Sequence, residues 1–159
     1  MKITCIAVGK VKEKFYRQAL EEFKKRLQKY CKLEVIEVAD EKTPDKAGEK
    51  IEEQIKIVEG KRILKNIKEN DYVIALAIEG QGLTSEELAK QIESLGISGK
   101  SSITFVIGGS LGLSSEVLGR ADFRLSFSAM TFPHQLMRVI LLEQVYRSFR
   151  IINGEPYHK

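Results

Sequence analysis

The residues Tyr157, His158 and Lys159 lie together in a polar tail and are of types that could do chemistry on a nucleic-acid base. An imidazole can accept a proton near neutral pH, and an aromatic ring can cover a base. The ordinary alternative is a frayed terminal segment. The other histidine, His134, follows Pro133 at a predicted helix start, where the helix dipole disfavours an imidazolium. We therefore expect a structural or orienting role for His134, with a role as the competing catalytic histidine as the alternative.

A glycine-rich segment, FVIGGSLGLSSEV at 105–117, could place bare peptide groups against a flat ligand. Gly108, Gly109 and Gly112 allow a tight turn and close approach, and a following helix offers unpaired N–H donors. Neither GxGxxG nor GxxxxGK[ST] is present, so a dinucleotide or triphosphate motif is not indicated. A purely structural turn from strand to helix remains the alternative.

A second segment, AIEGQGLTSEEL at 77–88, also carries glycines, Gly80 and Gly82, between a predicted strand and a helix. In open α/β sheets, ligands bind beyond the carboxyl ends of the strands. Two glycine loops at the same edge therefore predict a crevice. The segment Ser128–Met130, which follows a short predicted strand at 123–127, would form its third wall.

The elements that position these segments are predicted from alternating strand and helix patterns, which indicate an α/β fold with a mostly parallel sheet flanked by helices. Thr84 with Glu87 forms a capping box, Ser114 can cap a short helix, and Thr43-Pro44 is a candidate helix start. The predicted strands are 3–9, 33–38, 72–78, 103–109 and 123–127, and the predicted helices are 13–30, 46–68, 85–95, 115–120 and 133–152.

The composition is that of one globular domain over residues 1–159. Of these residues 43% are hydrophobic and 30% are charged. The net charge of +4 suits a polyanionic partner without proving one. Cys5 and Cys31 lie outside any metal-binding spacing, so we expect no metal site. No signal peptide and no apolar segment of spanning length is evident, and we therefore expect a cytoplasmic protein without membrane contact.

The predicted helix at 13–30 carries a basic face formed by Lys24, Lys25, Arg26 and Lys29. Basic faces of this kind are most often simply solvated. A phosphate-contacting surface is the other possibility.

The last predicted helix has more apolar residues than one stripe can hold. They are Leu136, Met137, Val139, Ile140, Leu141, Leu142, Val145, Tyr146, Phe149 and Ile152. One face can pack on the sheet, and the other needs a partner. We expect a homodimer, the commonest oligomer, with enclosure of the helix by its own monomer as the alternative.

Taken together, three segments make the sequence similar to a known family: MKITCIAVGK, FVIGGSLGLS and LSFSAMTFPHQLMRVILLEQVYRSFRIINGEPYHK. The chain resembles the ribosomal RNA large subunit methyltransferase H family over its whole length. These small SPOUT-class enzymes methylate N3 of a pseudouridine in a hairpin loop of large-subunit (23S) ribosomal RNA. The Thr-x-Pro-His-Gln-Leu-x-Arg and Glu-Gln-x-Tyr-Arg patterns carry most of the resemblance.

The resemblance implies a C-terminal trefoil knot, an obligate homodimer and an S-adenosyl-L-methionine site made by the knot loops. Carried over by matching motifs, the cofactor-binding residues are Leu76, Gly108, Phe127, Ser128, Ala129, Met130, Thr131 and Phe132. The small side chains of this loop suit an adenine ring and a sulfonium. The implied partner is the ribosome and its large-subunit RNA.

Methyl transfer from a sulfonium is an in-line displacement that needs no metal ion, but the acceptor N–H must lose a proton. Our candidates for this task are His158 as base or proton relay, Tyr157 as a stacking or hydrogen-bonding partner, and Arg147 as the charge that steadies a uracil anion or a phosphate. We expect Arg138 to hold the dimer or the knot. The remaining alternatives are a knotted methyltransferase for transfer RNA or another ribosomal site, and a non-catalytic ribosome-associated RNA-binding protein.

Overall fold

The computed structural model describes residues 1–159 and contains one five-stranded, all-parallel sheet with the strand order β2-β1-β4-β3-β5. The predicted α/β fold is confirmed; the trefoil knot stays a prediction. The strands are β1 (Lys2–Val8), β2 (Lys32–Val38), β3 (Tyr72–Gly82), β4 (Ser102–Ile107) and β5 (Phe123–Ser126). The helices are α1 (Lys14–Leu27), α2 (Glu49–Leu64), α3 (Ser85–Ile97), α4 (Ser115–Arg120) and α5 (His134–Ile152).

Helices cover both faces of the sheet, which explains why its central strands are nearly continuous apolar runs. Successive side chains of a strand point to opposite faces, and β1 shows this clearly. Its residues Ile3 and Cys5 pack in the core beneath α1, α3 and α5, whereas Ile6 and Val8 pack in a second core beneath α2 and α4. α5 lies between α1 and α3.

Two of the three helix starts predicted from capping residues are confirmed. Thr84 forms the predicted capping box at α3, and Ser114 accepts the Val117 N–H at the start of α4. The predicted start at Thr43-Pro44 is wrong, because α2 begins at Glu49. Lys46 has a φ of 56°, in the left-handed region, and so ends any helix that Pro44 could have begun.

Strand β3 runs four residues further than predicted and includes both Gly80 and Gly82. Its pairing with β5 shifts register between Leu76 and Gln81, so the strand bulges at 77–80. A Cβ on Gly80 would lie 2.7 Å from the Arg124 carbonyl oxygen. These glycines therefore allow close strand packing and do not form the loop we expected before α3.

Helix α5 begins at the carboxyl edge of the sheet. Its first helical residue is His134, one residue later than predicted, because Pro133 takes the N-cap position. Buried Arg138 fastens this end, since its guanidinium donates to the carbonyls of Val8 and Gly9 at 2.9 and 2.8 Å and pairs with Glu37 at 2.7 Å. No helix of the structure has the length and apolar character to cross a membrane.

Candidate functional site

A cavity of about 380 Å³ opens where the carboxyl ends of β3, β4 and β5 meet. This volume lies in the range of small-molecule sites, and the place is where parallel sheets bind ligands. Seven of the eight predicted cofactor residues line it: Leu76, Gly108, Phe127, Ser128, Met130, Thr131 and Phe132. Ala129 is exposed and lies outside the lining. Of the segment at 77–82, residues Ala77, Ile78 and Glu79 line the cavity, and the two glycines do not.

The glycine turn after β4 forms a wall of backbone. A bridge joins Gly109 to Gly112, and Gly112 has a φ of 89°, a conformation that favours glycine. A Cβ on Gly108 would lie 2.8 Å from the Gly112 carbonyl carbon. The turn therefore closes only without a side chain at Gly108, which leaves peptide groups on the cavity wall.

A buried carboxylate, Glu59 of α2, lies behind this turn. A Cβ on Gly109 would be 3.3 Å from Glu59 Oε1, and Glu59 Oε2 accepts the Glu41 N–H at 2.9 Å. Burial raises the pKa of the Glu59 carboxyl above its ordinary value. Glu59 thus ties the segment after β2 to the back of the glycine turn.

The loop between β5 and α5 is shaped by its own short hydrogen bonds. Ser126 Oγ donates to the Ser128 carbonyl oxygen at 3.2 Å, and the Met130 N–H donates to Ser128 Oγ at 2.9 Å. Met130 is 74% exposed at the cavity mouth. The loop therefore offers small polar groups inside and a flexible thioether at the entrance.

His134, at the first position of α5, also lines the cavity. Burial, and then the charge of Arg138, lower the pKa of the imidazole below its usual 6.5, although Asp40 opposes the shift. His134 is therefore neutral at pH 7. The sequence argument for a neutral histidine holds, but desolvation is the main cause and not the helix dipole.

The three candidate catalytic residues come together in a cluster on α5 and the tail. Arg147 Nη1 lies 3.1 Å from His158 Nδ1, and its guanidinium carbon lies 4.6 Å from the centre of the Tyr157 ring. Two further bonds, of 2.8 and 3.2 Å, join Arg147 to the Glu143 carboxylate. This pairing with Glu143 raises the pKa of Arg147 and fixes its guanidinium plane.

The hydrogen bonds of His158 define its tautomer. Because a guanidinium only donates, Nδ1 must accept from Arg147, so the ring proton is on Nε2. Nε2 then donates to Glu86 Oε1 at 2.6 Å. The pKa of Glu86 is lowered by a bond from its own backbone N–H and by His158. Both ring nitrogens are engaged, and proton uptake at Nδ1 requires its contact with Arg147 to open.

Glu155 anchors the tail that carries these residues. The Tyr30 hydroxyl lies 3.0 Å from both carboxylate oxygens of Glu155, and Arg150 Nη1 donates to Oε2 at 2.6 Å. Arg150 also donates to the Pro156 carbonyl at 2.8 Å. The tail is therefore docked on α5 and on the turn that follows α1, and the frayed end that was the alternative is absent.

The cavity and the tail cluster are far apart along one helix. Met137 lines the cavity, and Arg147 follows it by ten residues. At a rise of 1.5 Å per residue, the two levels of α5 are separated by about 15 Å. Arg147, Tyr157 and His158 are not among the residues that line the cavity of the same chain.

Comparison with known proteins gives a match over almost the entire chain. A family model described as "Predicted SPOUT methyltransferase" matches residues 1–158. This chain belongs to the SPOUT methyltransferase family. Proteins named "Ribosomal RNA large subunit methyltransferase H" are similar over all 159 residues and the full length of both chains, with 65% identity in Clostridioides difficile (strain 630), 64% in Clostridium tetani and 63% in Bifidobacterium adolescentis.

SPOUT methyltransferases of this kind use S-adenosylmethionine as methyl donor, and the cavity fits that molecule. The backbone wall at Gly108 can meet a base edge, and the apolar rings of Phe127 and Phe132 can flank a purine. Glu79 is an acidic group at the rim that suits a cationic ligand. Membership of the SPOUT family and the chemistry of the cavity thus agree.

Sequence reasoning did not find two carboxylates of the tail cluster, Glu86 and Glu143. Glu143 lies four residues before Arg147 on a predicted helix, a spacing that indicates an ion pair. No such signal exists for Glu86, which is 72 residues from His158. No group of three or more His, Cys, Asp or Glu side chains is arranged to hold a metal ion.

Proposed function

We propose that this SPOUT methyltransferase, as one domain over residues 1–159 and without a metal ion, transfers a methyl group to N3 of a pseudouridine in a hairpin loop of large-subunit ribosomal RNA. The assembled ribosome in the cytoplasm is the proposed substrate. Relatives at 65% identity are named for the large-subunit RNA, which supports this class of substrate. The observation that carries the proposal is the cavity at the carboxyl edge, lined by peptide groups and small side chains.

The proposed cofactor-binding residues are those predicted from the sequence, with Leu76 and Gly108 on the strand ends and 127–132 in the following loop. We propose that the loops holding them form the trefoil knot. Bound S-adenosylmethionine supplies a methyl group on a sulfonium, which becomes a thioether. Holding donor and acceptor in line can lower the barrier by about 7–11 kcal/mol.

The proposed active site is composite and belongs to a homodimer. Half-buried apolar residues of α5, such as Val139, Ile140 and Ile151, are available to a second copy. Because the tail cluster of one chain lies about 15 Å along α5 from its own cavity, a partner is needed to supply the tail. In the proposed dimer, the tail of each subunit covers the cavity of the other.

Within that composite site, the acceptor N3–H must lose its proton as the methyl group arrives. His158 takes this proton on Nδ1 after Arg147 has moved off that atom, and Glu86 holds the ring through Nε2. The released guanidinium can then steady the negative charge of the uracil ring. Tyr157 stacks against the base or hydrogen-bonds to it.

Mapping of ribosomal RNA by mass spectrometry tests the substrate. A strain that lacks the gene should lose one methylated pseudouridine, and the purified protein with S-adenosylmethionine should restore it on ribosomes from that strain. An unchanged modification map, or a methyl group on transfer RNA, would contradict the proposal.

Deletion of residues 157–159 tests the role of the tail. These residues lie outside the cavity, so we expect the folding and the calorimetric affinity for S-adenosylmethionine to remain nearly unchanged while methylation is lost. Normal turnover by the truncated chain would refute the role of the tail. A monomer at micromolar concentration would refute the composite site.

A further inference from the structure

The segment that joins β1 to α1, together with the first turn of α1, carries cations with no carboxylate partner. Lys10, Lys12, Lys14 and Arg17 are all exposed, and none of them forms an ion pair. Glu13 is the one acidic residue among them. Their charge is therefore available to an external anion.

The basic face that the sequence suggested, further along α1, is different. Lys24 pairs with Glu21 and Arg26 with Glu22, each at 3.2 Å. Lys29 lies 3.5 Å from Glu155. Since most of these charges are matched within the chain, the start of α1 is the better candidate for contact with phosphates.

The unpaired cations are presented by a fixed loop. Val11 is buried in the core, and its N–H donates to Glu37 Oε2 at 3.2 Å. Glu37 is itself held by buried Arg138. Lys10 and Lys12 flank this anchored residue, so both are directed to solvent from a defined backbone.

This loop lies beside the mouth of the cavity. Gly9 directly precedes Lys10, and a Cβ on Gly9 would lie 3.9 Å from His134 Nε2. His134 lines the cavity, and Val8 packs against the glycine turn that forms the cavity wall, 3.2 Å from a Cβ placed on Gly109. An RNA strand bound at the loop would therefore be next to the methyl donor.

An exposed aromatic ring lies among these cations. Phe15 is 62% exposed in the first turn of α1, and its ring centre is 4.4 Å from that of Tyr16. Aromatic rings interleaved with cations are typical of surfaces that bind single-stranded nucleic acid, where bases stack and phosphates pair. A phenyl ring left in water has no other evident role in the fold.

We infer that Lys10, Lys12, Lys14, Phe15 and Arg17 form a docking surface for single-stranded RNA adjoining the target nucleotide. The lysines and Arg17 contact phosphates, and Phe15 stacks on one base. This inference rests on the proposed function, because it assigns the RNA-binding surface of the same site. It adds a set of contacts that the cavity and the tail do not supply.

The phosphate contacts are tested with the full-length variant K10Q/K12Q/K14Q. Binding to a short fluorescent oligouridylate and to ribosomes is measured between about 50 and 200 mM KCl. Each lost contact should reduce the slope of log K against log salt by about 0.7 on a single strand, or about 2 in total. The matched control K61Q/K65Q/K68Q removes the same charge from exposed positions in the last turn of α2 and just after it, and should keep the slope.

The stacking contact is tested with Phe15→Ala. Loss of one stacked base should weaken oligouridylate binding by roughly 5- to 140-fold with no change in the salt slope. Calorimetry with S-adenosylmethionine should give wild-type affinity for both variants, which shows that the fold and the cavity are intact.

Several outcomes would overturn the inference and leave the proposed function standing. One is wild-type RNA methylation and an unchanged salt slope in the lysine variant. Another is an equal loss in the control variant, which would indicate net charge alone. Weaker binding to ribosomes with unchanged binding to oligouridylate would identify a ribosomal protein as the partner. Failure of the proposed function would instead appear as absent methylation by the wild-type protein.

Discussion

The cavity at the carboxyl edge and the cluster on the tail differ in the chemical groups that form them. The cavity wall is peptide groups, glycine and small side chains, with neutral His134 at one side. The tail cluster is Arg147, His158 and two carboxylates within hydrogen-bonding distance. A site for a preformed donor needs shape, whereas a site for proton transfer needs titratable groups in fixed positions.

Their separation along α5 is as informative as their chemistry. Arg138 fastens one end of the helix to β1, and Glu155 fastens the tail near the other end. Neither region can slide toward the other without breaking these hydrogen bonds. In the proposed composite site, a second chain supplies the tail cluster that adjoins each cavity.

The largest expected effect is on proton transfer. His158→Ala should lower kcat by about 10²- to 10⁴-fold, the usual worth of a general base, and leave the affinity for S-adenosylmethionine unchanged. His158→Gln is the matched variant, because its amide can still accept from Arg147 and donate to Glu86. Rescue of turnover by Gln would mean that His158 only positions the tail.

A smaller effect is expected at the cavity wall. Gly108→Ala places a Cβ 2.8 Å from the Gly112 carbonyl carbon, and overpacking of this kind costs about 1–3 kcal/mol. This strain should also displace the cavity wall, and we expect calorimetry to show a loss of affinity for S-adenosylmethionine of about tenfold, equivalent to about 1.4 kcal/mol. Gly119→Ala is the control, since a Cβ there meets nothing within 4 Å. Equal losses of affinity in both variants would show that the glycine turn does not take part in binding S-adenosylmethionine.

Loss of the Glu155 contacts that anchor the tail should lower turnover less than loss of the His158 side chain. Glu155→Gln weakens charge-assisted bonds to Arg150 and Tyr30, and we expect turnover to fall about tenfold with unchanged cofactor affinity. Glu22→Gln, which removes an exposed ion pair on α1, is the matched control. Wild-type turnover with Gln at position 155 would show that the tail does not depend on this anchor.

The smallest expected effect is the pH dependence of the affinity of the cavity for S-adenosylmethionine. Since burial and Arg138 lower the pKa of His134 below its usual 6.5, this imidazole takes up its proton at a lower pH than an ordinary histidine. A cationic donor beside a charged imidazole would bind less tightly. Its affinity should thus be constant from pH 7 to 8 and fall, by less than about tenfold, as the pH drops through the lowered pKa. A fall that begins above pH 7, or an unchanged decline in His134→Gln, would contradict this.

Local patterns in the sequence predicted most of the fold. The strands β1 and β4 are buried apolar runs, and β2 alternates apolar with charged residues. The caps at Thr84 and Ser114 depend on neighbours three residues away. The extension of β3 was missed because it depends on pairing with β5, some forty residues later, which only the folded chain reveals. The start of α2 was missed because Lys46 adopts a left-handed conformation that its residue type does not indicate.

The candidate site likewise contains one part that the sequence predicts and one part that it does not. Its glycine turn and its loop at 127–132 are continuous in sequence, so both could be found from composition and from the family resemblance. The partners of His158 could not, because Glu86 reaches it across 72 positions. Contacts between polar side chains that are far apart in the chain produce no repeating pattern in a single sequence.

Complementation between two inactive variants tests the central claim most directly. Gly108→Val subunits with an intact tail and His158→Ala subunits with an intact cavity are co-expressed with different tags and purified as mixed dimers. If each site combines one cavity with the partner's tail, one of the two sites is complete, and methylation should recover to about half of the wild-type rate. Activity no higher than that of the separate variants would contradict the composite site.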